Sequence, residues 1–375
     1  MSSRWPLVTL DEIFAIARGG SPRPIDDYIT EDPNGVSWVM ISDATESGKY
    51  INSTKKRIRE EGVKRSRTVQ PGDFLLTNSM SFGRPYIMNT SGCVHDGWLV
   101  LSPRNKNTSP DFFYHLLGSD FVFAEFERRA AGVTVKNLNI DLVKTVKVPL
   151  PPLAEQQRIA EVLDRAEDLR AKRRAALAQL DSLTQSLFVD LFGDPRKKGS
   201  TGRTPTISRP LGELTNIQTG KLDANAANEN GAHPFFTCAV EPLRINTPAF
   251  DCKAVLVAGN GDLNVKYFEG KFNAYQRTYV IESLDESVLV PRFLYAFLDL
   301  YVSELRKQAI GGVIKYIRLS YLTEAVVQLP SIESQREFAR RVTAMETLRT
   351  AQRASLAELD ALFATLQHRA FRGEL

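Results

Sequence analysis

The densest run of positive charge in this 375-residue sequence has the composition of a phosphate-binding segment. It begins with Lys55-Lys56-Arg57-Ile58-Arg59 and continues with Lys64-Arg65-Ser66-Arg67. Such clusters neutralise nucleic-acid phosphates and supply affinity that does not depend on base sequence. Glu60 and Glu61 follow the first run directly, so an ordinary solvated surface is an equally good interpretation. The candidates for phosphate contact are Lys55, Lys56, Arg57 and Arg59.

A second set of side chains carries the donors and acceptors that read base edges. Base reading uses forked donors, amides and hydroxyls placed on loops or helix starts. Residues of this kind follow predicted strands and glycine turns in both halves of the chain. In the first half the candidates are Asn78, Ser79, Ser81, Arg84, Thr134, Lys136 and Asn137. In the second half they are Lys266, Tyr267, Tyr275, Gln276, Arg277, Lys315, Tyr316 and Arg318.

The motifs of enzymes that modify or cut DNA are missing from the sequence. Pro151-Pro152 precedes Leu153 rather than an aromatic residue, so it does not form the Asn/Asp-Pro-Pro-aromatic loop of an adenine methyltransferase. No Gly-x-x-x-x-Gly-Lys-Ser/Thr phosphate loop of an ATP-driven motor occurs. Asp262 with Glu269-Gly270-Lys271 only faintly resembles a nuclease triad, and the four histidines lack metal-ligand spacing. We therefore predict no catalytic residue, no metal site and no cofactor in this chain.

Bulk composition permits nucleic-acid binding without requiring it. The net charge is +4 and the isoelectric point is near 8.8. Three cysteines, an odd number, suit a reducing cytoplasm. The first ten residues lack the apolar core of a secretory signal, and no stretch reaches the roughly 20 apolar residues that span a membrane. We expect a cytoplasmic protein with no membrane partner.

The sequence contains an internal repeat. A shift of 179 positions aligns residues 135–138 with 314–317 and residues 148–151 with 327–330, and the match continues through Leu187 and Leu366. A weaker match with an offset of 201 aligns Leu10 to Gly19 with Leu211 to Gly220. The repeat ends are 122 residues apart in the first half, from Leu10 to Gly132, and 100 apart in the second, from Leu211 to Gly311. The sequence therefore predicts two copies of one frame with divergent middles.

The best-matched segments predict two long helices that pack against each other. Apolar or small residues recur in alternating steps of three and four, the pattern of a coiled-coil seam. Both copies place a polar residue, Arg173 or Gln352, at the same step, a device that fixes register. Antiparallel pairing is favoured, and two independent core helices are the alternative. The predicted seam comprises Val162, Ala166, Leu169, Ala176, Leu180, Leu183, Leu187, Met345, Leu348, Leu359, Leu362 and Leu366.

These patterns predict an α+β fold with a pseudo-two-fold internal repeat. Residues 1–150 and 211–329 are two mixed α/β domains, separated by the two long antiparallel helices of the coiled coil, at 151–192 and 330–375. Residues 193–210, rich in Gly, Thr and Arg, are predicted to be a linker. Within the domains, residues 74–77 and 254–257 read as strands, and 111–127 and 291–307 as helices.

Three segments resemble the specificity subunits of type I restriction-modification systems. Residues 151–159, Pro-Pro-Leu-Ala-Glu-Gln-Gln-Arg-Ile, look like the opening of that family's spacer helix. The ending Phe-Arg-Gly-Glu-Leu at 371–375 and the strand Gly-Asp-Phe-Leu-Leu at 72–76 are similar to recurrent segments of the same family. The second copy departs from the pattern, with Ser331 in place of the second proline and a less typical segment at 338–341.

The resemblance implies a non-catalytic role in a larger enzyme. The domains at 1–150 and 211–329 would be target recognition domains, each reading one half of a split double-stranded DNA site. The spacer helices would set the separation of the half-sites and dock two modification subunits that carry S-adenosylmethionine. Restriction subunits, which use ATP and Mg²⁺, would cut unmodified DNA. Because the two middles differ, the expected DNA site is asymmetric.

Two other classes of function remain open at this point. A protein-binding coiled-coil scaffold would show no salt-dependent DNA binding. A stand-alone DNA nuclease or methyltransferase would act on DNA without partners, and the missing motifs count against it. A specificity subunit of a system that only methylates is also compatible with the sequence, since the difference lies in the partners.

Overall fold

A computed structural model of the chain describes residues 4–78, 83–129, 138 and 140–375. The chain divides into two compact units. The first unit consists of Met1–Lys172 and Ser355–Leu375, and the second of Arg173–Ala354. Each long helix contributes one part to each unit.

Short strands and helices make up both units. The strands are β1 Leu7–Thr9, β2 Phe14–Arg18, β3 Ile29–Thr30, β4 Val36–Val39, β5 Tyr50–Ile51, β6 Lys56–Ile58, β7 Arg67–Val69, β8 Phe74–Thr77, β9 Pro85–Met88, β10 Gly92–Val94, β11 Trp98–Pro103, β12 Lys147–Pro149, β13 Thr206–Pro210, β14 Thr215–Thr219, β15 His233–Phe236, β16 Leu243–Ile245, β17 Phe250–Ala258, β18 Val265–Ala274, β19 Thr278–Ser283 and β20 Val326–Pro330. The α-helices are α1 Leu10–Ile13, α2 Ile41–Ser47, α3 Glu60–Val63, α4 Pro110–Leu117, α5 Asp120–Arg129, α6 Ile140–Lys144, α7 Leu153–Phe192, α8 Leu211–Leu214, α9 Pro291–Gln308, α10 Leu319–Thr323 and α11 Ile332–Arg372.

In the first unit, the described residues form two larger sheets, and one of them has an apolar layer on each face. One layer lies between the two sheets, and the other lies between that sheet and the helices. The strand orders are β2-β11-β8-β9-β5 and β3-β6-β4-β10-β7. Phe74 and Leu76 of β8 pack with the helices, whereas Leu75 packs towards the second sheet with Trp98. Successive side chains of a strand point to opposite faces, so a strand covered on both faces is apolar throughout. Edge-to-face contacts of Phe14 with Phe74 and Phe113, at ring centroid distances of 5.5 and 5.1 Å, fix the helix-facing layer.

In the second unit, a sheet with the strand order β14-β19-β17-β18-β15-β16 carries the core. Val255 and Val257 face the helices, and Leu256 faces the opposite layer. Phe188 and Phe192 near the end of α7 pack against Phe293 of α9 and Phe338 of α11, with centroid distances of 5.1 to 5.6 Å. This aromatic cluster joins the sheet-covering helix to both long helices.

Matching hydrogen bonds confirm that the two units are copies of one fold. Gln156 Oε1 accepts from the backbone N–H of Ser109 at 2.9 Å, and Gln335 Oε1 accepts from the N–H of Val290 at 2.9 Å. The amide of Gln156 donates to the carbonyls of Asn107 and Pro151, and that of Gln335 to those of Val288 and Pro330. Both glutamines are buried. Each therefore ties the start of a long helix to the loop before α4 or α9.

The long helices run antiparallel within each unit. In the first unit, Arg170 Nε of α7 donates to Asp360 Oδ1 of α11 at 2.6 Å. In the second, Arg173 donates to Gln352, and Thr184 Oγ1 donates to Met345 Sδ at 3.6 Å. As the residue number rises on one helix it falls on the other. The polar pair predicted at one seam step, Arg173 and Gln352, is thus in direct contact.

Eight of the twelve predicted seam residues are buried or partly buried, and the other four are exposed. Ala166 is buried, and Val162, Ala176, Leu180, Leu187, Met345, Leu359 and Leu366 are partly buried. The predictions for four leucines are wrong because their side chains are half exposed, at 47 to 53%: Leu169, Leu183, Leu348 and Leu362. The residue after each of these leucines is less exposed: Arg170, Thr184, Arg349 and Phe363. The guanidinium of Arg170 lies 4.4 Å from the ring centroid of Phe363, so a paired cation occupies a position that an apolar pattern misses.

Two boundaries also differ from the sequence prediction. The last residues of the predicted linker, 206–210, form β13, which pairs with β20 as β1 pairs with β12 in the first unit. The predicted helix at 111–127 is interrupted at Gly118 and becomes α4 and α5. The helix predicted at 291–307 is the single helix α9.

Candidate nucleic-acid interface

Four loops of the second unit meet at one edge of its sheet through backbone hydrogen bonds. Gly259 N donates to Arg277 O at 2.8 Å, and Ile317 N donates to Gly259 O at 2.9 Å. Gly261 N donates to Lys315 O at 2.9 Å, and Gln276 N to Leu222 O at 2.9 Å. We call the set of loops at 220–223, 259–264, 275–277 and 310–318 the second loop edge. Its backbone is held by main-chain hydrogen bonds.

Most base-reading candidates of the second half lie on this edge. Gln276, Arg277, Lys315 and Arg318 are exposed, and Tyr316 is 38% exposed. Gln276 Nε2 donates to Asp223 Oδ2 at 3.3 Å. Tyr275, partly buried, forms a backbone bridge with Leu222. The structure therefore brings these side chains to one polar, cationic surface.

The first unit has the same backbone arrangement. Asn78 N donates to Gly97 O at 2.9 Å, Leu138 N donates to Asn78 O at 3.2 Å, and Gly19 N donates to Trp98 O at 2.9 Å. These bonds correspond to those of Gly259, Ile317 and Gly220 in the second unit. The described loops at 19–23, 95–97 and around residue 78 form the first loop edge. Arg84, which directly precedes β9, is exposed and lines a different cavity, together with Tyr114 and Glu167.

The first loop edge presents side chains that sequence reasoning missed. Asp96 occupies the place that Gln276 has in the second unit, because the loop at 95–97 corresponds to that at 275–277. Its carboxylate accepts from Ser21 Oγ at 2.8 Å and lies 3.4 Å from a guanidinium nitrogen of Arg23. The hydrogen bond from Ser21, with the charge of Arg23 contributing less, holds the pKa of Asp96 below its usual value. Extending the repeat match beyond Gly19 and Gly220 would have pointed to the loop at 19–23.

In the predicted phosphate-binding run, some side chains are exposed and others are held by contacts within the protein. Lys56 and Arg59 are exposed. Lys56 lines a cavity of about 420 Å³ together with Arg23, His95 and Asp96, so it adjoins the first loop edge. Lys55 is exposed but forms an ion pair with Glu46 at 2.6 Å. The partly buried Arg57 donates to the carbonyl of Gly35 at 2.8 Å, which is a structural contact rather than a surface one.

Three candidates have side chains that are buried or engaged by other residues. The prediction for Asn78 is contradicted because the residue is 2% exposed. Lys266 is partly buried and its ammonium donates to Thr237 O at 3.4 Å and to Asn264, so it is directed inward; burial lowers its pKa. Tyr267 packs beneath Arg292 of α9, with the guanidinium 4.7 Å from the ring centroid. The alternation of strand β18 explains why Lys266 and Tyr267 face different layers.

Five candidates lie outside the described residues, so the structure does not place them. They are Ser79, Ser81, Thr134, Lys136 and Asn137.

Within the described ranges the structure assembles no nuclease-like or metal-binding group. Asp262 forms an ion pair with Arg306 at 3.3 Å, whereas Glu269 lies opposite Lys253 in the β17–β18 ladder. No cluster of three or more His, Cys, Asp or Glu side chains that could hold a metal occurs among residues 4–78, 83–129, 138 and 140–375. Over the same ranges, no helix has the length and apolarity needed to cross a membrane.

The chain resembles several curated proteins in sequence. It is 26% identical to the EcoBI type I restriction enzyme specificity subunit of Escherichia coli, over 99% of this chain and 86% of that one. It is 23% identical to the MjaIX specificity subunit of Methanocaldococcus jannaschii, over 87% of this chain and 83% of that protein. The EcoDI specificity subunit of Escherichia coli is 45% identical over 145 residues, which is 38% of this chain and 32% of that relative.

Solved structures show the same fold. A type I restriction-modification S subunit from M. genitalium superposes with a TM-score of 0.62 at 17% identity, covering 98% of this chain and 96% of the other. A chain from a structure on complex assembly and conformational transition of the type I R-M system gives 0.63 at 19% identity, covering 99% and 98%.

The chain thus consists of two units of one fold that carry different polar side chains at equivalent loop edges. The family model described as the type I restriction modification DNA specificity domain matches residues 2–179 and 207–360. The chain belongs to this family, which confirms both the resemblance seen in the sequence and the predicted α+β fold class. As a specificity subunit it is a DNA-recognition component without catalytic activity of its own.

Proposed function

We propose that each loop edge reads one half of a split, asymmetric double-stranded DNA target. The observation that supports this most directly is the pair of loop edges, which share their backbone hydrogen bonds and differ in side chains. A shared frame gives both units the same way of approaching a duplex. Different side chains at equivalent positions give the two half-sites different sequences.

The side chains on the two edges suit different base edges. Arg277 has the fork that matches the two acceptors of guanine, and Gln276 has the amide that matches adenine. Asp96 offers a carboxylate, which accepts from the amino group of cytosine. The cations Lys315 and Arg318, with Lys56 and Arg59 in the first unit, contact phosphates and fix the register.

The partners follow from the role in a type I complex. Two modification subunits carrying S-adenosylmethionine dock on the unit faces and long helices, and restriction subunits supply ATP- and Mg²⁺-dependent cleavage. The chain itself needs no cofactor, because non-covalent contacts with bases and phosphates are enough for recognition. The complex acts in the cytoplasm, where its cysteines Cys93, Cys238 and Cys252, all unpaired in the structure, stay reduced.

The proposal is tested by measuring duplex binding of the complex with its modification subunits. The DNA is the motif found methylated in the host genome. Arg277→Ala is expected to weaken specific binding by about 1–3 kcal/mol and to relax selection at one base pair of one half-site. Lys253→Ala is the control, because Lys253 pairs with Glu286 beyond the other end of β19. Equal losses for Arg277→Ala and Lys253→Ala, or full selectivity in Arg277→Ala, would contradict the assignment of the second loop edge.

A further inference from the structure

An exposed apolar tip projects from the second loop edge. Val313 is fully exposed and Ile314 is 62% exposed. They lie in the segment 311–315, which we call the tip loop. Single exposed aliphatic residues are common on protein surfaces, but two adjacent ones at the end of a loop are a larger unfavourable exposure.

The base of the tip loop is rigidly held. Ile310 N donates to Tyr316 O at 3.0 Å, and Tyr316 N donates to Ile310 O at 2.8 Å. Gly311 has a φ of 120°, and a Cβ there would lie 2.6 Å from the carbonyl oxygen of Ile314. Only glycine fits this position. The loop therefore presents its two apolar side chains in a prepared geometry and loses little entropy on binding.

The surroundings of the tip loop indicate what it binds. Gly261 N donates to Lys315 O, so the tip loop lies directly beside the turn at 259–261. Gly259 of the same turn contacts Arg277. Lys315 and Arg318 are exposed on either side of Tyr316. An apolar tip flanked by cations matches duplex DNA, in which phosphates border a stack of apolar base faces. Apolar side chains that enter base-pair steps, anchored by basic residues, are a known means of unstacking and kinking DNA.

We propose that Val313 and Ile314 form an apolar wedge that enters a base-pair step in or beside the half-site read by the second unit. The inference rests on the proposed function and deepens it, because it adds sequence-dependent deformation to direct contact with base edges. Steps that unstack easily, such as pyrimidine–purine steps, are then preferred at a position that makes no hydrogen bond with the protein.

The test uses the full complex with its modification subunits and duplexes that contain the methylated motif. The adenine analogue 2-aminopurine, whose fluorescence rises on unstacking, is placed at successive steps across that half-site but not at the methylated adenine, which a methyltransferase flips out of the stack by itself. The double variant Val313→Ser with Ile314→Ser removes the apolar tip and keeps every backbone hydrogen bond. Leu284→Ser is the matched control, since Leu284 is 63% exposed and follows the far end of β19. Ile314→Leu keeps the apolar volume.

The wild-type complex, Leu284→Ser and Ile314→Leu are expected to raise the fluorescence at one step, and the double serine variant is not. Binding by the double variant should weaken by about ten-fold with an unchanged salt dependence, because no phosphate contact is lost. A wild-type complex that binds specifically without any fluorescence rise overturns the wedge and leaves the proposed function intact. A double serine variant that retains the fluorescence rise also overturns the wedge and leaves the proposed function intact. The same holds if the only defect of the double serine variant is failure to assemble with the modification subunits. Absence of specific DNA binding by the wild-type complex overturns both.

Discussion

Two buried glutamines show how single residues set the position of each recognition surface. Gln156 and Gln335 sit one turn into the long helices and satisfy backbone groups of the segment that leads into α4 or α9. Each uses both ends of its amide, so neither a shorter nor an apolar side chain can replace it. A buried backbone group left without its partner costs about 1–3 kcal/mol.

Gln156→Met, which preserves the side-chain volume, is expected to lower the free energy of unfolding by about 2–4 kcal/mol. The same loss is expected for Gln335→Met in the second unit. Urea unfolding followed by circular dichroism measures the change. Gln157→Met is the control because Gln157 is exposed on the same helix, and its effect should stay within about 0.5 kcal/mol. Equal effects at 156 and 157 would show that the buried contacts contribute nothing.

A charged cluster attaches α7 to the first unit through Asp164. His115 Nε2 lies 2.7 Å from Asp164 Oδ1, and Lys49 Nζ lies 2.7 Å from the same oxygen. Burial acts to raise the pKa of Asp164, but the hydrogen bonds from His115 and Lys49 outweigh it and hold the pKa below the usual value of 3.8. A carboxylate with a lowered pKa stabilises the folded state above its ordinary pKa and loses that contribution as the pH falls through the lowered value.

Asp164→Asn is therefore expected to be less stable than wild type at pH 7, with the difference shrinking as the pH falls below about 3.8. Urea unfolding of both proteins across pH 3 to 7 tests this. Asp168→Asn, which removes a carboxylate paired with Lys172 on the exposed side of α7, should show little difference at any pH. A constant gap between wild type and Asp164→Asn over that range would contradict the role of the charge.

At the scale of elements, the long helices show what a periodic pattern can and cannot predict. The length, start and pairing of both helices are visible in the repeat at offset 179. The seam itself contains Arg170, Arg173 and Gln352, whose stems pack between the helices while their polar ends pair across them. A pattern built on apolar residues alone takes in four leucines of the neighbouring row, Leu169, Leu183, Leu348 and Leu362, because apolar residues also occur there. Contacts across the helix pair decide between two adjacent rows, and no single helix contains that information.

Matched alanine substitutions distinguish the two rows of α7. Leu163 is fully buried and Leu169 is 53% exposed. Leu163→Ala is expected to cost about 2–5 kcal/mol of unfolding free energy, and Leu169→Ala less than about 1 kcal/mol. Thermal and urea unfolding of the two variants provides the measurement. A larger loss for Leu169→Ala would restore the row predicted from the sequence.

At the scale of the whole molecule, the repeat explains which parts of the recognition surface could be predicted. Most candidates of the second half lie on the second loop edge. They could be selected from the sequence because Gln276, Arg277, Lys315 and Tyr316 follow recognisable strand ends and glycines. Asp96 and Arg23 were missed, since their position depends on the pairing of strand β2 with strand β11, which is distant in the sequence. Asn78 and Lys266 have surface-like chemistry in sequence, yet local backbone pairing turns them inward. The sequence thus shows the chemistry of a side chain, but only the fold shows whether that side chain points to the surface or inward.

The most direct test of the central claim replaces residues 211–329 with the corresponding segment of a relative that has another target. The exchanged subunit is co-expressed with the same modification subunits, and methylated adenines are mapped across the genome. The account predicts a split motif in which one half changes and the other half stays as in wild type. A motif that stays the same in both halves, produced by a complex shown to assemble, would contradict recognition by two separate units.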